Sequence, residues 1–174
     1  MTAFCYAETA SPLGPLLLVW NGTGELCVLD FEEKRASQLV RHHHGVDLRE
    51  LPVRRAPRAI DSALTAYFEG DVCALRHIPI WKGGTPFERR VWTALGAIPA
   101  GTTSTYGELA ASVGNPNASR AVGRANGANP LGIVVPCHRV IGAGGALTGY
   151  AGGLGRKEWL LAHEAREAQR IKVA

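Results

Sequence analysis

The run Lys82-Gly83-Gly84-Thr85-Pro86-Phe87-Glu88 constrains this chain more than any other stretch, because it ends one folding unit and begins another. Paired glycines put no side chain into a core and leave the backbone free, which reads as a linker. Directly after them Thr85 is placed to cap a helix, Pro86 suits its first turn, and Glu88 completes a capping box. That helix turns Phe87, Val91, Trp92 and Leu95 to one face, and Ile98-Pro99-Ala100-Gly101 ends it. A chain of 174 residues is long enough for two small domains, so the break sets residues 1–84 apart from residues 85–174.

The first part carries strand signals and then helix signals. Leu16 to Trp20 and Leu26 to Phe31 are apolar runs joined by Asn21-Gly22-Thr23-Gly24, a hairpin pattern. Glu32 to His44 reads as a polar helix, and Gly45 to Arg55 as a charged connection. A second helix after Pro57 has Ile60, Leu64, Tyr67 and Phe68 on one face and Gly70 as its stop. Leu75 to Trp81 is expected to be an edge strand interrupted by Pro79. Together these predict a small α/β domain with no catalytic constellation.

Composition narrows the class. With 46% hydrophobic and 20% charged residues the chain reads as soluble and globular. No apolar run reaches membrane-spanning length, and no basic stretch followed by an apolar segment opens the chain, so a cytoplasmic protein without membrane contact is expected. Cys5, Cys27, Cys73 and Cys137 are irregularly spaced and read as free thiols in a reducing compartment. His42, His43 and His44 could join Cys5 or Cys27 around a metal, but spacing this loose favours a solvated loop, and no metal is expected.

Charge is distributed unevenly. Residues 1–84 hold nine Lys/Arg against ten Asp/Glu, while residues 85–174 hold ten against five. No acidic residue falls between Glu108 and Glu158, a span that includes Arg120, Arg124, Arg139, Arg156 and Lys157. An acid-free basic span suggests a polyanionic partner. Within it Tyr106, Leu109, Ala110 and Val113 follow helical spacing, Gly114-Asn115-Pro116 breaks the helix, and Ala118, Ala121, Val122 and Ala125 resume it. Arg120 and Arg124 share another face of the second helix. This is either a helix-turn-helix whose small residues let its backbone approach a nucleic acid, or an ordinary helical hairpin with solvated arginines.

Ile133 to Arg139, IVVPCHR, then brings a thiol and an imidazole together at Cys137 and His138. Such a pair offers a nucleophile and a base; the competing reading is a buried structural cysteine. Gly142 to Gly155 is glycine-rich around Tyr150 and lacks the lysine pattern of a P-loop, so it is a flexible linker or the wall of a pocket. In a last helix from Arg156 onward, Glu164 shares the face of Leu160 and Leu161. A carboxylate on a buried stripe requires a partner, and an imidazole is a suitable one.

Taken together these residues resemble the O6-alkylguanine-DNA alkyltransferases. Pro136-Cys137-His138-Arg139-Val140 matches the family's active-site signature. Tyr106, the run Asn117 to Gly123, Asn129-Pro130, Gly149 to Gly153 and Lys157 to Glu164 extend the match. It is dense over residues 85–165 and faint before them, where Ser11-Pro12-Leu13-Gly14 is its main trace. The resemblance implies a ribonuclease-H-like N-terminal domain with a small, mostly antiparallel sheet, and a mainly helical, winged-helix-like C-terminal domain containing the helix-turn-helix. It implies that Cys137 accepts an alkyl group from the O6 of a guanine flipped out of double-stranded DNA. Glu164, His138 and a water would draw off the thiol proton, and Asn129 would order the turn between recognition helix and active-site strand. Arg120 would enter the base stack with Ala118 and Ser119 close to the DNA, while Tyr106 would rotate the nucleotide. Val140, Tyr150 and Ala151 would frame the base, and Arg139 would be a structural buttress. Cys5 and Cys27 do not match the zinc pattern of some members, and no phosphotriester-sensing domain is appended.

The chemistry agrees with the resemblance. A base inside a duplex must be extruded before a side chain can reach it, at a cost of a few kcal/mol. A thiol of ordinary pKa near ~8.5 is only slightly ionised at neutral pH, so the nucleophile needs help. Attack on a saturated carbon leaves a thioether, and nothing in the sequence would reverse it, so one reaction per molecule is expected with no cofactor and no obligate protein partner. A DNA-binding regulator with a structural Cys137, and a thiol hydrolase, are the two other readings.

Overall fold

The computed structural model describes residues 3–173. The described residues pack as two compact units: residues 3–83 with 130–134, and residues 84–129 with 135–173.

In the first unit β1 (Cys5–Thr9), β2 (Leu16–Trp20) and β3 (Leu26–Asp30) form an antiparallel sheet in sequential order. All residues of β2 and β3 are buried, which explains why both are continuous apolar runs. Between them Asn21 makes the turn: its Oδ1 accepts from the backbone N–H of Thr23 at 3.1 Å and of Glu25 at 3.0 Å. The register shifts after Val19, so Trp20 faces Leu26 while Val19 faces Val28. Leu17, Val19 and Val28 pack with Ala36, Leu39 and Val40 of α1 (Glu33–His44) to form a core cluster. Gly45, at φ 69°, closes α1 in the left-handed conformation expected after a helix. A second helix, α2 (Arg58–Phe68), buries Ile60, Leu64 and Tyr67.

Two sequence expectations change in this unit, and one strand was not foreseen. β1 has no apolar run to announce it, because only Ala7 is fully buried. Leu75 to Trp81 is not a strand: Ala74–His77 is a 3₁₀ turn, and only the Pro79 carbonyl and Trp81 N–H pair with Leu26, at 2.8 and 2.9 Å. Pro79 has no N–H to extend that ladder. His42, His43 and His44 form the last turn of α1 and not a loop, with His44 packed on Trp81 and Phe4 at ring separations of 4.6 and 4.8 Å.

The second unit is mainly helical. Its first helix, α3 (Pro86–Gly96), begins with the expected capping box between Thr85 and Glu88 and buries Val91 and Leu95. Phe87 and Trp92 are half-buried, and the Trp92 indole donates to the Ala125 carbonyl at 2.9 Å. A two-residue strand, β4 (Ser104–Thr105), runs into α4 (Tyr106–Ser112), where Thr105 and Glu108 make a second capping box. Gly114, at φ 83°, turns the chain toward α5 (Ser119–Gly127). Later β5 (Val140–Ile141) pairs in parallel with β4, and α6 (Leu154–Val173) starts two residues earlier than its periodicity suggests. No described helix is long and apolar enough to cross a membrane.

Residues 130–134 belong with the first unit, where Leu131 bridges to Leu29. Gly132 packs closely there: a Cβ would stand 3.1 Å from the Leu29 carbonyl oxygen, a tight contact. Ile133 adopts φ 67°, unusual for a β-branched residue, and Val134 N–H reaches back to the Gly132 carbonyl at 2.7 Å. This is a strained γ-turn just before the Cys-His pair.

Candidate active site

Cys137 opens a 3₁₀ turn, Cys137–Arg139, and does not lie on a strand. Pro136 (φ −80°, ψ 65°) makes an inverse γ-turn in which Cys137 N–H donates to the Val135 carbonyl at 2.8 Å. The same carbonyl accepts from Asn129 Nδ2 at 2.8 Å. Asn129 follows α5, so one buried amide fixes the end of that helix relative to the backbone before Cys137. The expected ordering role of Asn129 thus has a contact behind it, though to a turn and not to a strand.

The two residues after Cys137 belong to a buried ionic cluster. His138 Nε2 lies 2.9 Å from Glu164 Oε1, and both residues are fully buried. Arg139 holds both oxygens of Glu164, through Nε and Nη2 at 2.8 Å each, and its Nη1 donates to the Ile98 carbonyl at 2.6 Å. Burial opposes the Glu164 charge, but the hydrogen bonds and charges of His138 and Arg139 outweigh it and hold the carboxyl well below its ordinary range. Burial lowers His138; Glu164 pulls the other way, while the Arg139 and Lys157 charges add to the lowering. The imidazole is therefore neutral at pH 7. Its Nε2–H is assigned as donor to Glu164, which leaves Nδ1 with its lone pair. Nδ1 is buried and has no protein hydrogen-bond partner. A neutral imidazole oriented by a carboxylate is the state a general base requires.

The structure distributes the remaining expected residues around this turn. Val140 is buried directly after it, Tyr150 is half-buried, and Ala151 is exposed. Tyr106 is half-buried at the start of α4. Its ring would lie 3.8 Å from a Cβ added at Gly123, so α4 and α5 approach closely at that glycine. Ala118 and Ser119 are half-buried at the start of α5, and Arg120 and Arg124 are exposed. Leu161 is only half-buried, whereas Leu160 and Glu164 face inward as expected.

One residue of the cluster escaped sequence reasoning. Lys157 is fully buried, and its Nζ donates to the carbonyls of Val140 at 2.6 Å and Thr148 at 2.8 Å. The signal was present: Lys157 lies three residues before Leu160 and seven before Glu164, on the same helical stripe.

A thiol followed by an imidazole that a buried carboxylate orients is the arrangement of proteins that use cysteine as a nucleophile. The comparisons with known proteins make this class specific. Residues 4–81 match the ribonuclease-like domain of 6-O-methylguanine DNA methyltransferase, and residues 86–166 match its DNA binding domain. The methylated-DNA–protein-cysteine methyltransferase of Salmonella typhimurium is 49% identical over 159 residues, covering 90% of this chain and 93% of that protein. The protein of the same name from Methanosarcina acetivorans is 46% identical over 156 residues, covering 90% and 95%. The crystal structure of Mycobacterium tuberculosis O6-methylguanine methyltransferase superposes with a TM-score of 0.78 at 40% identity, covering 94% of each chain. The structure of the Mycobacterium tuberculosis protein in complex with DNA gives 0.77 at 39%, covering 93% of each. This chain belongs to the 6-O-methylguanine DNA methyltransferase family.

Proposed function

We propose that this protein repairs DNA by transferring the alkyl group of an O6-alkylguanine in double-stranded DNA irreversibly to its own Cys137, once per molecule. In enzyme terms it is a methylated-DNA–protein-cysteine S-methyltransferase consumed by its own reaction. The observation that carries this reading is the His138–Glu164 contact at 2.9 Å beside Cys137, with Nδ1 as the basic ring atom. In this reading the thiol proton passes through a water to His138. The sulfur electron pair forms the S–C bond as the C–O6 bond breaks, and guanine departs and regains a proton. The product is a thioether, with no bond for water to hydrolyse. No cofactor, metal ion or obligate protein partner takes part in the scheme.

The same reading assigns DNA contact to the pair α4 and α5. Exposed Arg120 enters the stack left by the flipped base, Tyr106 turns the nucleotide, and Ala118 and Ser119 allow close approach to the backbone. Backbone groups at Val140 and Ala151, with Tyr150, frame the guanine. Residues 85–174 then form the DNA-binding and alkyl-acceptor domain and residues 1–84 a supporting α/β domain, in a cytoplasmic protein. Duplex DNA labelled in the O6-methyl group tests the proposal. One label should appear on the Cys137 peptide per protein molecule; repeated turnover, or label elsewhere, would overturn it.

A further inference from the structure

The helix α5 is weakly specified by its own sequence. It is nine residues long, and isolated helices that short are marginal in water. Gly123 and Gly127 lower its propensity further, and Ala118 at its start offers no capping side chain. Its order therefore comes from partners elsewhere in the second unit. At Gly123 it lies against Tyr106 of α4, and beyond its end Asn129 Nδ2 donates to the Val135 carbonyl. The last turn has a further partner. If the helix continued, the Ala125 carbonyl would accept from the amide of Asn129, but that N–H is directed to the Asn126 carbonyl at 3.4 Å. Trp92 of α3 takes its place, and its indole Nε1–H donates to the Ala125 carbonyl at 2.9 Å. The other edge of the indole is fixed as well. A Cβ at Gly84, whose φ is 88°, would stand 2.6 Å from the Trp92 ring carbon Cζ3. One half-buried ring is thus packed on the first residue of the unit and hydrogen-bonded to the end of α5.

We propose that Trp92 is a positioning residue for alkyl transfer from duplex DNA: its indole N–H sets the last turn of α5 and, with it, the angle at which Arg120 meets the DNA. The inference rests on the reading above, in which Arg120 acts from α5 as the base leaves the stack. Arg120 lies five residues before the bonded carbonyl on the same short helix, so a tilt at Ala125 moves it. Tryptophan suits this task. It carries a large apolar ring with one fixed donor and no acceptor, so the ring packs while the N–H points one way. The acceptor belongs to a buried residue, and a carbonyl stranded there is costlier than the modest net gain of the bond suggests. Four residues on, Asn129 makes the second hold, so the two side chains fix the turn by which α5 leads toward Cys137.

The test follows single-turnover transfer to the full chain from two substrates. One is a duplex carrying labelled O6-methylguanine, and the other is the labelled free base, which needs no extrusion. Trp92→Phe should slow transfer from the duplex about tenfold, as expected for a buried acceptor left unpaired, and keep transfer from the free base within about twofold. Trp92→3-benzothienylalanine keeps the bicyclic ring with sulfur in place of the N–H, and should reproduce the loss on duplex. Equal losses on both substrates, or full duplex activity in the sulfur isostere, overturn the role of the donor. Where Trp92→Phe does not fold, the isostere decides. Amide hydrogen exchange at residues 126–129 should rise in both variants, and unchanged exchange there removes the hold on the last turn. Unaltered protein that takes no methyl from either substrate refutes alkyl transfer itself, an outcome distinct from a failure of Trp92 alone.

Discussion

Each unit of this protein holds a buried thiol and a wholly or partly buried imidazole, and their surroundings differ. In the first unit Cys27 is wholly enclosed in β3, where burial and the Glu25 charge push its thiol up to about 12. His44 ends α1 against aromatic rings, and burial with the neighbouring His43 lowers it to about 4. In the second unit Cys137 and His138 are adjacent, and Glu164, Arg139 and Lys157 surround them at hydrogen-bonding distance of the turn's own groups. Burial alone makes a thiol inert and an imidazole hydrophobic. Burial beside fixed charges of chosen sign makes the same side chains reactive. Residue type does not separate the two regions; the partners do.

The comparison is broken most directly by alkyl transfer itself. Cys137→Ala should abolish labelling by methylated DNA, whereas Cys27→Ala should leave the label count at one per molecule. Loss of transfer in Cys27→Ala would show that the first unit's thiol is not inert. The next largest effect belongs to Glu164→Gln, which strands Arg139 as a buried, poorly paired cation. Removing one member of such a pair costs about 3–5 kcal/mol, readable from a urea unfolding midpoint. The same variant should raise the pH at which Cys137 titrates, and an unchanged titration would take Glu164 out of the relay. Because Glu164 is held below its usual value near 4.5, its stabilisation is complete above that pH and is lost as the pH falls below it.

A smaller effect sharpens the contrast from the first unit's side. His44 has a folded value of about 4 against 6.5 when unperturbed, so the unfolded chain binds the extra proton between those limits. Stability from this group is therefore full above pH 6.5 and declines as the pH falls toward 4. Allowing for solvent screening, the decline between pH 7 and 5 is about 1 kcal/mol. Thermal unfolding of His44→Phe should show a shallower pH slope over this range than the parent protein, and equal slopes would exclude His44 as the source. The smallest change touches neither pair. Thr105→Ala removes the cap of α4 and should cost about 1 kcal/mol with alkyl transfer per folded molecule retained. A steep loss of transfer would mean that the start of α4 contributes more than helix stability.

Sequence reading went furthest where one element carries its own signal. The apolar runs of β2 and β3, the Thr85–Glu88 box and the broken periodicity of α4 and α5 are all local, and each appears where expected. Local signals failed where partners are distant. β4 and β5 are two residues long and exist only through their pairing with each other. Pro136 and Ile133 bend the chain into successive γ-turns, which an apolar run read as a strand conceals. At the site, the adjacency of Cys137 and His138 and the inward stripe of Glu164 were legible. The burial of Lys157 could be read only from its place on the stripe of Leu160 and Glu164, since a lysine beside Arg156 and Glu158 otherwise looks like a solvated face until its carbonyl partners are brought to it.

The shared acceptor at Val135 has a mechanical consequence. Asn129 and Cys137 hang from one carbonyl oxygen, so residues 130–134 form a detour whose two ends are pinned at a single point. A rotation of α5 acts on the pin itself. The backbone of the reactive cysteine is thus tied to the end of the helix through one shared oxygen.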